Sequence, residues 1–177
     1  MLRIILIHGL VAGLIIISGV IATIVFSGDQ PHGNVFLGYL IMLLGMSAVF
    51  VGVKQHRDQR LGGVIRFLPA WGVGLGIALM ASVAYVIVWE AYLAATDYRF
   101  MDQYIATTLE ARRAEGLSGE AYRTFEGQMR DMAESYKSPL YRLPLTFAEI
   151  FPVGLIVSFV SALLLRNSRF LPARTRT

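Results

Sequence analysis

The chain contains no cysteine. Disulfide frameworks, cysteine-based zinc sites and thiol catalysis are excluded, and redox compartment leaves no mark on the sequence. Histidine is scarce and scattered: His8, His32 and His56 fall in separate segments, too dispersed for a metal site, so no metal ligands are expected. Charged residues make up only 16% of the chain, and four long stretches hold almost none of them. The longest polar stretch, Thr96 to Lys137, is too short to build a large independent core, so a single domain over 1–177 is expected. No nucleophile and base converge in any recognisable pattern. The Gly-Val-Gly-Leu-Gly string at 72–76 follows no strand and is no nucleotide loop. Neither a cofactor nor an enzymatic activity is expected.

What the chain does have is apolar length. Four runs, about Ile4–Phe26, Val35–Val53, Ala70–Tyr92 and Leu143–Leu165, each approach twenty residues and are bounded by charge. A hydrocarbon core is about 30 Å thick and an α-helix rises about 1.5 Å per residue, so each run crosses a bilayer once. An all-α membrane protein with four transmembrane helices is predicted. The first run has features of a signal peptide, with Arg3 as a basic flank and Val20-Ile21-Ala22 before a weak cleavage position. Its apolar stretch is too long for that, and it is read as a retained helix.

Basic residues predict the orientation, because Lys and Arg collect on the cytoplasmic side. One side holds Arg3, Lys54, Arg57, Arg60, Arg66, Arg166, Arg169, Arg174 and Arg176 against a single acid, Asp58. The other side has more acidic than basic residues. Both termini are therefore expected in the cytoplasm, with the 96–137 segment outside. This distribution argues for the lipid bilayer as partner and against nucleic acid, despite the net charge of +4. Trp71 and Trp89 bracket the third span about 27 Å apart, a spacing that suits an indole at each interface.

Small residues recur at helical spacing within the spans: Gly38, Gly45 and Gly52; Gly9 and Gly13; Gly72 and Gly76; Gly154, Ser158 and Ala162. Such faces let backbones approach in lipid. They either pack within one chain or join a homo-oligomer.

Thr96–Lys137 reads as two amphipathic helices forming a hairpin between transmembrane helices 3 and 4. Met101, Ile105 and Leu109 recur at four-residue steps; Tyr122, Phe125, Met129, Met132 and Tyr136 recur at three and four. Gly116 suits a helix C-terminus, Ser118 an N-cap, and Ser138-Pro139 a stop. The stripes either pack on each other or the membrane surface, or Tyr122, Phe125, Met129, Met132 and Tyr136 form a surface for a membrane or periplasmic protein.

Two carboxylates sit within the apolar runs. Glu149 lies about 25 Å of helix from Arg166, and Glu90 about 28 Å from Trp71, so both fall near the outer boundary. They either snorkel to the interface, pair with Arg99 or Arg142, or form an ion or proton site with Pro152. That proline removes a backbone donor and frees the Ala148 carbonyl. On the opposite side, Lys54, Arg57, Arg60 and Arg66 form a basic loop expected to face anionic lipid.

Several stretches resemble a bacterial membrane family known only as domain-of-unknown-function family 4199. They include Leu37-Gly38-Tyr39, Phe50-Val51-Gly52-Val53-Lys54 and Arg57-Asp58 followed by Leu61-Gly62-Gly63. Tyr85, Trp89, Tyr136-Lys137-Ser138-Pro139 and Glu149-Ile150-Phe151-Pro152-Val153-Gly154 complete them. The resemblance implies a bacterial inner-membrane protein with an external helical insertion; it implies no activity. Two functions remain in view: a non-catalytic accessory or assembly protein presenting the hairpin to a partner, or a small proton- or cation-coupled transporter or channel component using Glu149 and Glu90.

Overall fold

A computed structural model describes residues 1–26 and 35–173. Among them are six helices and no strand: α1 (Leu2–Phe26), α2 (Val35–Arg60), α3 (Phe67–Ala95), α4 (Phe100–Ala114), α5 (Gly119–Lys137) and α6 (Pro139–Leu165). Four of these, α1, α2, α3 and α6, are long and apolar enough to cross a membrane. This is a multi-pass membrane protein. Each spanning helix overruns its apolar run. In α2 the overrun carries the helix through Arg60, so the stretch expected as a basic loop is the last two turns of a helix. The connection itself is short and turns on Gly62 and Gly63, both with positive φ.

Within the bundle, α2 and α3 each touch both α1 and α6. The core between them is built from Ile16, Met46, Val49, Ile77, Ala81 and Ile150, all without solvent-accessible surface. Glycines set the interhelical distances. A Cβ on Gly13 would stand 2.8 Å from the Ala81 carbonyl oxygen, and one on Gly154 would stand 2.7 Å from the Ala78 Cβ. Backbones this close exchange many dispersion contacts, which is what holds helices together where lipid is as apolar as leucine. The small-residue faces of α1 and α6 are thus spent inside the chain. Gly38 and Gly72 differ, since a Cβ on either would meet nothing within 4 Å.

Helix α6 runs unbroken through Pro144 and Pro152. The helix break expected at Pro152 does not occur, because neighbouring helices over-determine the backbone and a single missing donor is tolerated.

The ends of the helices follow local chemistry. α4 stops at a Schellman motif: Leu117 N–H donates to the Arg112 carbonyl and Gly116 N–H to the Arg113 carbonyl, both at 3.0 Å, with Gly116 at φ +95°. Ser118 occupies the N-cap of α5 in extended conformation, but its side chain makes no capping bond. Ser138 ends α5 and begins α6, whose first residue is Pro139. α3 also ends in a Schellman pattern, Tyr98 N–H to the Leu93 carbonyl at 2.8 Å and Asp97 N–H to that of Ala94 at 3.3 Å. Here the left-handed positions are Asp97 (φ +52°) and Tyr98 (φ +55°), not glycine. Two consecutive left-handed L-residues are unfavourable by about 1–2 kcal/mol each, a cost that the two Schellman bonds offset in part.

The close approach of α3 and α6 has a direct test. Gly154→Leu should destabilise the bundle by about 1–3 kcal/mol through overpacking, read as a lower melting temperature in detergent. Gly38→Leu should leave that temperature unchanged.

Candidate functional site

The first turn of α6 places Arg142 beside the last turns of α3, and only 3% of its surface remains exposed. Nε and Nη2 donate to the two Glu90 carboxylate oxygens at 2.7 and 2.6 Å, a bidentate pair. Nη1 donates to the Tyr136 carbonyl at 2.9 Å and more weakly to that of Lys137 at 3.3 Å. These are carbonyls that the end of α5 leaves without helical partners. The guanidinium also lies 5.1 Å from the Tyr98 ring centre and 5.6 Å from that of Tyr136. The first of these contacts ties the left-handed Tyr98 to the pair.

Aromatic rings complete this latch. Trp89 Nε1 donates to the Tyr136 hydroxyl at 3.0 Å, and the Phe100 ring stands edge-on to Trp89 at 5.0 Å. Burial pushes the Tyr136 hydroxyl above the ordinary phenol range, against the opposing effect of its hydrogen-bond donors Trp89 and Thr146. One arginine therefore fastens α3, the α3–α4 turn, the end of α5 and the start of α6.

Two sequence readings change as a result. Glu90 is bound by Arg142, so it is not free to share a proton with Glu149 in an ion site. Tyr136 is half-buried against Trp89 and Arg142, and so belongs to the latch and not to an open docking surface. Glu149 takes no part in the Arg142 pair. It is exposed and makes no hydrogen bond or ion pair with any described residue. Its carboxylate is close enough to the Tyr85 and Tyr136 hydroxyls for their charges to interact.

The other four residues expected on the docking surface, Tyr122, Phe125, Met129 and Met132, are all half-buried on α5. Arg113 lies 5.1 Å from the Tyr122 ring centre, and Arg112 lies 5.7 Å from that of Phe125, so α4 covers this part of the stripe. No residue of α5 is buried. Two helices alone leave a seam that is only partly closed.

At the opposite end of the bundle the basic cluster divides. Arg57 is fully buried, which overturns its expected lipid-facing role. It donates to Asp58 at 2.6 Å, to the Phe170 carbonyl at 2.9 Å, to Leu165 at 3.4 Å and also to Leu171. It thereby caps α6 and pins the segment after it. Lys54 pairs with Asp58. Arg60 and Arg66 remain exposed and keep the lipid-facing role open to them. His8 bonds the Ile4 carbonyl through Nδ1 at 3.0 Å, and His56 Nδ1 is buried without a partner. His32, Arg174 and Arg176 lie outside the described residues. Among those described, no group of three or more potential ligands could hold a metal.

The Glu90–Arg142 pair is one of the alternatives the sequence held open, although the two lie 52 residues apart; the role of Arg57, which lies 113 residues from Phe170, was not foreseen. The available signal was an arginine heading one span at the membrane level where the preceding span carries a glutamate. Arg142→Met strands a largely buried carboxylate and two carbonyls. It should cost about 3–5 kcal/mol, measured by thermal unfolding in detergent. Adding Glu90→Leu should recover part of that loss, because the stranded charge is then gone.

A family model described as a protein of unknown function, DUF4199, matches residues 7–167. No curated protein and no solved structure matches the chain. With nearly all of its length matched, from within α1 to just past α6, the chain belongs to the DUF4199 family of proteins of unknown function.

Proposed function

We propose that this chain is a non-catalytic membrane accessory protein that presents the α4–α5 pair to a protein partner. The observation that carries the reading is the unfinished seam. Met129 and Met132 of α5, together with Met101, Ile105 and Leu109 of α4, stay half-exposed. Apolar stripes on a helix pair form a stable layer when a third surface covers them. Methionine suits such a surface, being flexible and polarisable. The latch supports the same reading, because it fixes the base of the pair to the bundle and makes α4–α5 a rigid platform. The excess of Lys and Arg at the opposite end favours cytoplasmic termini and an inner membrane, with α4–α5 on the outer side.

The transporter reading receives less support. It relied on two carboxylates and a broken helix, and Glu90 is committed to Arg142 while α6 is continuous.

Met129→Asp is the appropriate test. An acid at Phe125 would meet Arg112 and stay within the helix pair, whereas one at Met129 enters the open seam. Purification of tagged protein from native membranes in a mild detergent, read by native mass spectrometry, should show a stoichiometric second protein with the wild type. Met129→Asp should lose at least about tenfold of it, as expected for a charge in an apolar contact. Wild type isolated without any second protein would overturn the proposal.

A further inference from the structure

Four outer faces of this bundle meet the lipid, and three of them are what a bilayer demands. Leu6, Leu10 and Leu14 stand out from α1, Leu40, Leu43 and Leu44 from α2, and Leu79, Val83 and Ile87 from α3. The fourth differs. Along α6, Leu145, Glu149, Pro152, Ile156, Phe159 and Leu163 are all exposed, and they follow one another at alternating steps of four and three residues. That spacing lays them in one stripe suited to packing against a second helix at a shallow left-handed crossing. Within the stripe lies a carboxylate, seven residues and about 10 Å of helix beyond Arg142 towards the bundle's other end.

A carboxylate within a membrane span is costly unless it finds a partner. The Tyr85 and Tyr136 hydroxyls lie near it, but among the described residues no cation is free to pair with it. Arg142 spends its donors on Glu90 and on the Tyr136 and Lys137 carbonyls. Arg99 is paired with Asp97, and Lys137 with Glu134. A second copy of the chain docked on this stripe would oppose Glu149 with Glu149 and bring its own Arg142 already engaged. Charge complementarity therefore selects a different chain, one that carries a cation.

We propose that the outer face of α6 docks a transmembrane helix of another protein, and that Glu149 pairs with a lysine or arginine on that helix. The inference deepens the accessory reading and rests on it for the existence of a partner. The accessory reading places one contact on α4–α5. This one adds a second within the membrane, and states what the partner must contain: a spanning helix with one basic residue about two turns inside the boundary that Arg142 marks. The interhelical pair would set register and partner choice, as isolated polar residues do in packed helices.

The test uses a photo-crosslinking amino acid at Ile156, introduced into the full chain and irradiated in native membranes. The expected result is one discrete protein adduct whose crosslinked peptide is an apolar span holding a lysine or arginine. Glu149→Gln should cut the yield about tenfold, the effect of losing one interhelical polar pair. It should leave the melting temperature of the purified chain unchanged, since Glu149 makes no hydrogen bond or ion pair with any described residue. The same probe at Leu10 on α1 should give no such adduct. Reversing the partner's basic residue to glutamate should restore the adduct in a Glu149→Lys background. Adducts to lipid alone, to a second copy of this chain or to a span without a basic residue would each overturn the inference, as would a yield indifferent to Glu149→Gln. These failures leave the α4–α5 contact standing if Met129→Asp still releases the partner. Conversely, a wild-type protein purified without any companion sinks the accessory reading itself.

Discussion

In hydrocarbon, helices gain nothing by hiding leucine from leucine, so this bundle depends on how closely its backbones can approach. Gly13 against Ala81 and Gly154 against Ala78 leave no room for another carbon. Once α1, α3 and α6 are drawn together at those points, larger side chains such as Ile16, Met46 and Ile77 interdigitate around them. The consequence reaches the surface. The small-residue faces of α1 and α6 are used up internally, and what remains outward is mainly leucine, isoleucine and valine, with the Glu149 carboxylate among them.

Each end of the bundle is then closed in the same way. A helix end leaves carbonyls without donors, and in or near a bilayer water does not supply them cheaply. At one end Arg57 meets the carbonyls of Leu165, Phe170 and Leu171; at the other, Arg142 meets those of Tyr136 and Lys137. Each guanidinium is neutralised by one acid, Asp58 or Glu90, and each joins segments distant in sequence. Arginine suits this task because its planar fork donates in several directions at once and stays charged when buried. Lysine, a single point of charge, would reach fewer of these acceptors.

The two clasps have different consequences. That of Arg57 immobilises a tail and ends there. That of Arg142 lies under α4 and α5, and through Tyr98 it holds a left-handed turn that no glycine relieves. The pair of amphipathic helices is consequently tied to the bundle at its base, through Phe100 on Trp89 and Tyr136 on the latch, while its open seam lies further out. A rigid base with an incompletely covered upper layer is the physical content of the accessory proposal.

Much of this architecture could be read along the chain. Four spans, two amphipathic helices between the third and fourth, the turn at Gly116 and the Ser138-Pro139 junction are local properties: apolar length against bilayer thickness, helical periodicity, and backbone preferences of glycine and proline. Glu90 and Glu149 are equally visible as carboxylates within apolar runs, yet the sequence treats them alike. Only the tertiary structure separates them, by bringing Arg142 across to Glu90 and leaving Glu149 outward. It likewise turned Arg57 in while Arg60 and Arg66 stayed out, took Tyr136 into the latch, and carried α6 straight through Pro152. The reason is common to all of these. A helix's length and amphipathicity are fixed by neighbours a few residues away, whereas which side of it meets another helix depends on contacts between residues far apart in the chain, and no local pattern encodes them.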